Sequence, residues 1–185
     1  MASEDEPVVR IWLDTPLGRI EAEIFVDRAP ITAGNFLCYV DRGLYTGATF
    51  YRALRPDNGQ RTPRLRAIQG GIDPSCVHPA LPPIQHESTK KTGLRHLDGS
   101  LSLARWDVGT AASEFFIVLG EAAELDADGA YGEGYAVFGR VVNGMDIVRL
   151  INASPTTQPS TIDYMVDQAL EPVPVHIRRA PRVFA

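Results

Sequence analysis

The chain has 185 residues, 44% hydrophobic and 22% charged, with 23 acidic against 18 basic residues and a formal charge of −5. That size suits one domain, residues 1–185 with residues 1–7 as a flexible start, and the acidic balance argues against nonspecific binding to nucleic acid or anionic lipid. No apolar run approaches the roughly 20 residues that span a bilayer, and the acidic opening MASEDEP lacks the basic and apolar regions of a secretory signal.

Val8–Leu13 reads as a strand, Thr15–Gly18 as a turn and Ile20–Phe25 as a second strand, a hairpin pattern. A helix follows, with Pro30 in its first turn, Gly43 at its close and Ala33, Phe36, Leu37 and Val40 on its core face. Thr49–Leu54 and Leu65–Gln69 are the third and fourth strands, the latter ended by Gly70 and Gly71. Residues 72–97 hold three of the four histidines without a clear period and read as a long surface loop.

Residues 98–118, DGSLSLARWDVGTAASEFFIV, pair two strand-like runs around a loop of small side chains that lets another backbone lie close, the mark of a groove wall. The polar stretch Glu121–Gly134 leads into a strand at Tyr135–Val142 and a short helix from Met145 to Ile151, whose buried side is Met145, Val148 and Leu150 or Ile151. Pro155–Thr161 is a turn, and alternating Val173, Val175 and Ile177 make a closing strand through Arg179. About eight short strands and two helices, with no repeated strand–helix alternation, describe a mostly β protein, and an antiparallel barrel plugged by its helices leaves no exposed edge.

Cys38 and Cys76 are too few for a disulfide framework and have neither CxxC nor zinc spacing, so they read as free thiols of a reducing compartment. The chain as written is therefore assigned to the cytoplasm, or to the periplasm if a leader has been removed. His86-Glu87 begins like a metalloprotease helix, but Lys90 stands where the second His belongs. Asp126, Asp128, Gly129 and Glu133 match a calcium loop only in part, and Ser113 lacks a nucleophile elbow. No metal site follows. Arg52, Gln69 and the Phe115-Phe116 pair remain; taken singly they read as a solvated face, a locally satisfied amide and core packing.

In combination with PLGRIEAEIFVDRAPITAGNF, FYR, IQGG, DGSLSLAR, SEFFI and YAVFGRVVNGMDIV, these residues resemble the cyclophilins, and their bacterial branch in particular, over about residues 8–151. The resemblance implies a closed eight-stranded antiparallel barrel capped by two α-helices. It also implies isomerisation of X-Pro bonds in protein folding, without cofactor or metal, by a chain expected to be a monomer. Its partners would be proline-containing polypeptides, with no nucleic acid and no membrane. Arg52 would be catalytic. Gln69 would hold the substrate backbone and position Arg52, Ala104 and Arg105 would dock the extended peptide, and Phe116 and Leu125 would floor the proline pocket.

Departures from the family pattern fall at Tyr51, where a His is usual, at Arg66 and Ala67 in the pocket wall, and at Glu114, Glu124 and Tyr135. They imply a more charged pocket in which Glu114 pairs with Arg52 or Arg105 and biases the residue accepted before proline. Two alternatives use the same chain: a noncatalytic module or chaperone holding proline segments in this groove, and a small-ligand barrel.

Overall fold

The computed structural model describes residues 9–59, 64–72 and 81–181. The expected flexible start and Cys76 lie outside the described residues. Among those described are nine strands and three α-helices, in the order β1 (Val9–Thr15), β2 (Gly18–Ile24), α1 (Pro30–Asp41), β3 (Thr49–Leu54), β4 (Ala67–Gly71), α2 (Thr89–Thr92), β5 (Ser100–Leu103), β6 (Phe115–Val118), β7 (Ala136–Asn143), α3 (Met145–Ala153), β8 (Ala169–Pro174) and β9 (His176–Arg179). None of these helices is long and apolar enough to cross a membrane.

All strands join one antiparallel sheet in the order β8-β3-β4-β6-β5-β7-β2-β1-β9. Its two edges, β8 and β9, are consecutive in the chain with only Val175 between them. The expected closing strand Val173–Arg179 is thus two strands. The chain leaves the β3 ladder, bonds Val175 N–H to the Ala48 carbonyl at 3.0 Å, and continues along β1. A covalent crossing at Val175 closes the barrel, so neither edge invites another chain.

Inside, Ile11, Leu13, Ile20, Phe50, Ile68, Leu101, Leu103, Phe115, Ile117 and Phe138 form one core, each at most 1% exposed. Helix α1 adds Ala33, Phe36, Leu37 and also Tyr39, while α3 turns in Val148 and Ile151 and leaves Leu150 in solvent. The N-terminus of α1 is satisfied from a distance. Glu87, 2% exposed, accepts from the Thr32 amide at 2.7 Å and hydroxyl at 2.8 Å, placing a carboxylate where the helix dipole favours it. The long loop that supplies Glu87 contains the one-turn helix α2, which its lack of period did not foretell.

The register shifts between β2 and β7 and between β5 and β7, but the break on which the site depends is in β3. In β3, Phe50 pairs with Gly70 but Arg52 pairs with Gln69, and the ladder to β8 shifts at the same place. Tyr51 is the extra residue of a β-bulge. Phe50 and Ala53 therefore both face the core, and Tyr51 and Arg52 both leave it for the outer surface. Gly70 and Gly71 belong to β4 rather than ending it, because Gly70 must pass against Phe50. A Cβ on Gly70 would stand 2.6 Å from Phe50 Cδ1 and 2.8 Å from the Thr49 carbonyl oxygen. Gly70→Ala is expected to lower stability by about 1–3 kcal/mol, read from the urea midpoint; a wild-type midpoint would show that the bulge tolerates a larger neighbour.

Candidate active site

The outward faces of β3, β4, β6 and β5 carry one row of side chains. Arg52 pairs with Gln69, Gln69 with Phe116, and Phe116 with Ser102. Above the row lies a groove of about 500 Å³. It is lined by Arg52, Ala67, Gln69, Ala104, Arg105, Glu114, Phe116, Leu125 and Tyr135 from the expected set. Tyr51, also expected to touch substrate, is 2% exposed and does not line the groove. Its ring packs with Met165 and Ala169 behind it, because the bulge residue points into the layer beneath the segment 162–169.

Arg52 is held on most of its hydrogen-bonding edge. Nε and Nη2 donate to Gln168 Oε1 at 2.8 and 2.6 Å, Nη2 also to the Tyr164 carbonyl at 3.3 Å, and Nη1 to Gln69 Oε1 at 2.9 Å. Of the five N–H donors of a guanidinium, these four bonds leave one hydrogen on Nη1. The Tyr164 ring covers one face, 4.7 Å from the guanidinium carbon. Burial draws the Arg52 pKa below its ordinary value, opposed by Tyr164, Tyr51, Tyr135 and Glu114. An arginine nonetheless stays charged.

Gln69 connects the row to the far end of the groove. Its Nε2 donates to the Tyr51 hydroxyl at 3.1 Å and to Glu114 Oε2 at 3.4 Å. Burial and then the Glu114 carboxylate push the Tyr51 phenol far above its ordinary pKa, so it remains a neutral support for Gln69. Glu114 thus reaches Arg52 through Gln69. Arg105 is committed elsewhere, donating Nε and Nη2 to the Gly134 carbonyl at 2.9 and 2.6 Å with its guanidinium over the Tyr135 ring.

The apolar half of the groove is a satellite cluster of Ala67, Phe116, Val118, Ala122 and Leu125, flanked by Leu54, Leu65 and Tyr135. Phe116 meets Tyr135 edge to face at 5.4 Å. The 3-10 turn Ala123–Leu125 delivers Leu125, whose carbonyl takes the Tyr135 amide at 2.9 Å. The expectation of a more charged pocket wall holds at Glu114 but requires correction at Arg66 and Glu124. By alternation Leu65, Ala67 and Gln69 share the groove side, whereas Arg66 and Glu124 line a separate depression with Arg149 and Asp98. Leu65 occupies the place in the pocket wall that the resemblance gave to Arg66.

Residues 105–113 form the opposite wall, as their small side chains suggested. Their carbonyls are tied from behind: Ala111 to the Ile84 amide at 3.0 Å, Ala112 to Asn35 Nδ2 at 2.6 Å and Ser113 to the Tyr45 hydroxyl at 2.8 Å. The Ala104 amide is bonded to the Glu114 carbonyl at 2.8 Å, closing the loop's base. Sequence reasoning missed Trp106, Tyr164 and Gln168. Trp106, 72% exposed, meets Tyr164 edge to face at 5.0 Å on the rim beside Arg52. The only signal for the latter two was the Tyr-x-x-x-Gln spacing of residues 164–168, too weak to stand alone. Among the described residues no group of three or more His, Cys, Asp or Glu could hold a metal ion.

Three comparisons bear on this site. The model of the family described as cyclophilin type peptidyl-prolyl cis-trans isomerase/CLD matches residues 8–177. A peptidyl-prolyl cis-trans isomerase of Acinetobacter baylyi is 33% identical over 91% of this chain and 85% of its own length; peptidyl-prolyl cis-trans isomerase B of Escherichia coli is 34% identical over 79% and 85%. The crystal structure of a cyclophilin type peptidyl-prolyl cis-trans isomerase of Cryptosporidium parvum superposes with a TM-score of 0.72 at 18% identity, covering 95% of this chain and 99% of that one. Another structure of that protein, in the presence of the dipeptide Ala-Pro, gives the same score over 94% of this chain.

Behind the groove, His96 props its floor. The ring is 1% exposed and lies parallel to Phe116, 7° between planes with centroids 6.1 Å apart. Nδ1 bonds to Asp126 Oδ1 at 2.7 Å and Nε2 to Ser102 Oγ at 2.9 Å. Since a carboxylate only accepts, Nδ1 carries the proton and Ser102 donates to Nε2. This Ser–His–Asp chain is no nucleophile, because Ser102 is 0% exposed. Burial holds the His96 pKa below its ordinary 6.5, against the pull of Asp126. The unfolded chain therefore takes up a proton that the folded chain refuses, and this side chain's contribution to stability, present above pH 6.5, is lost as pH falls through the folded pKa. Unfolding free energy measured from about pH 7.5 down to 5 is expected to fall, and less steeply in His96→Gln; parallel slopes would contradict the buried neutral imidazole.

Proposed function

Because the chain belongs to the cyclophilin-type peptidyl-prolyl cis-trans isomerases, we propose that its isomerase chemistry rests on Arg52, which donates its remaining Nη1–H to the prolyl nitrogen as the amide twists. The barrier to rotation, about 18–20 kcal/mol, comes from C–N resonance. At the twisted midpoint the nitrogen regains a lone pair, which the planar amide lacks. A donor aimed there strengthens only as resonance breaks, so it stabilises the midpoint over either ground state. The single observation that carries this reading is the four-bond clamp on Arg52, which fixes a charged donor at the edge of an apolar pocket.

In this reading the proline ring sits over Phe116 and Leu125, walled by Ala67, Leu65 and Tyr135. The Ala104 amide already serves the loop, so the extended substrate docks through the Ala104 carbonyl and the Arg105 amide. The residues before proline run toward Glu114, Ser113 and Trp106. Clients are proline-containing polypeptides, met by a monomer. Cys38, a free thiol, agrees with a reducing cytoplasmic setting.

Two measurements test the assignment. Arg52→Ala should lower kcat/KM in a protease-free X-Pro isomerisation assay by about 100- to 1000-fold while the fold survives, and Arg52→Lys should not rescue it, since an ammonium cannot span Gln168 and Gln69. Wild-type activity in Arg52→Ala would sink the role, and binding without rate enhancement in the wild type would favour a holding module. Glu114→Gln should improve peptides with Asp or Glu before proline by about two- to fivefold relative to Ala; an unchanged preference profile would remove Glu114 from selection.

A further inference from the structure

We propose that Gln168 is a positioning residue for Arg52, and that its value lies in being an uncharged acceptor: it fixes the guanidinium without neutralising it. The inference rests on the reading of Arg52 as the donor to the prolyl nitrogen.

Gln168 is 5% exposed, and each of its polar groups has one assignment. Its amide N–H bonds to the Met165 carbonyl at 2.9 Å and its carbonyl takes the Ala53 N–H at 3.0 Å, locking the backbone beside β3. Side-chain Nε2 donates to the Asn58 carbonyl at 3.2 Å. That bond sets the amide's direction, so Oε1 is the atom left to face Arg52, where it takes Nε and Nη2 together. Asn58 is itself pinned, donating to the Ala53 carbonyl at 2.7 Å and accepting the Arg55 amide at 2.8 Å. A rigid chain of bonds thus runs from the β3 turn through Gln168 to the guanidinium.

The surrounding segment sharpens the point about charge. Asp163 and Asp167 flank Tyr164 and Gln168, and both are exposed. Asp167 adopts φ 64°, a left-handed conformation, and the turn there leaves Asp167 outward and Gln168 inward. A carboxylate on Oε1's site would bind a guanidinium more strongly than an amide does. It would also cancel the positive charge that the twisted amide nitrogen is to meet, and set an oxygen against the Asn58 carbonyl. Gln69, the other side-chain acceptor on Arg52, is likewise neutral.

The test compares wild type, Arg52→Ala, Gln168→Met and Gln168→Glu by kcat and KM on one X-Pro peptide, with thermal unfolding alongside. Gln168→Met keeps bulk but offers no acceptor, and should lower kcat about 10- to 100-fold with KM changed by less than about threefold. Gln168→Glu should also lower kcat, by about tenfold, although it can still accept. Wild-type kcat in both, with Arg52→Ala inactive, overturns this proposal and leaves the Arg52 reading standing; an active Arg52→Ala overturns that reading itself. A loss that follows only the folded fraction also counts against positioning. Should the substitutions unfold the chain, the wild type decides: the Arg52 Nε–H, assigned by its absence in Arg52→Lys, should give a slowly exchanging NMR signal, and rapid exchange with solvent overturns the proposal.

Discussion

The register of four strands is the constraint on which the site depends. Neighbouring strands lie about 4.8 Å apart, so residues in register across a sheet are fixed to within the play of their rotamers. Here the register puts Arg52, Gln69, Phe116 and Ser102 side by side on the outer face. A slip of one residue in β4 or β6 would turn Gln69 or Phe116 into the barrel and Ile68 or Ile117 out of it. The core forbids this, because Ile68, Phe115 and Ile117 are all fully buried. Stability and site geometry therefore come from the same pairing, and the bulge at Tyr51 is the local irregularity that brings Arg52 to the outer face.

A sheet with both faces apolar needs a second cover, and in this chain the cover is also the site. Strand β6 buries all four residues, Phe115 and Ile117 inward, Phe116 and Val118 outward. Over the outward pair lie the Leu125 turn and Tyr135; beside them, the 162–169 segment packs on Tyr51 through Met165 and Ala169. The groove is the gap between these two covers. Arg52 stands at its edge, held by Gln168 of the 162–169 cover on one side and by Gln69 of the sheet, itself bonded to Glu114, on the other.

The inward-facing half of the structure was legible in the sequence. Alternation in β1 and β2, the Pro30 and Gly43 limits of α1 and the paired apolar runs around the 105–113 loop have local causes that act within a few residues. Arg52, Gln69 and Phe116 could be singled out only by resemblance, since a strand arginine, a glutamine before two glycines and a core phenylalanine have ordinary readings one at a time. What escaped has a common reason. The split at Val175, the bulge at Tyr51 and the approach of Gln168 to Arg52, 116 residues earlier, are set by which distant strand each segment meets. No periodicity reports that. Arg66 misled for the opposite reason: identity by position suggested a pocket wall, whereas alternation with Ala67 and Gln69 sends it to the neighbouring depression.

If Arg52 is the donor, as proposed, the division of labour on it follows from the reaction. Rotation about a peptide bond breaks no covalent bond and moves no proton, so a catalyst has little to supply beyond a well-placed charge and a surface that holds one end of the amide. Acid–base groups would be idle, and the buried His96 is indeed turned away from the groove as a prop for Phe116. What the site must prevent is relaxation of the donor: a mobile arginine would solvate itself or lie down on the nearest carboxylate. Four hydrogen bonds and the Tyr164 ring suppress the first outcome, and the placement of Gln69 between Arg52 and Glu114 suppresses the second. In the proposed role the cation is anchored by neutral dipoles, and its field meets the nitrogen lone pair of the twisted amide.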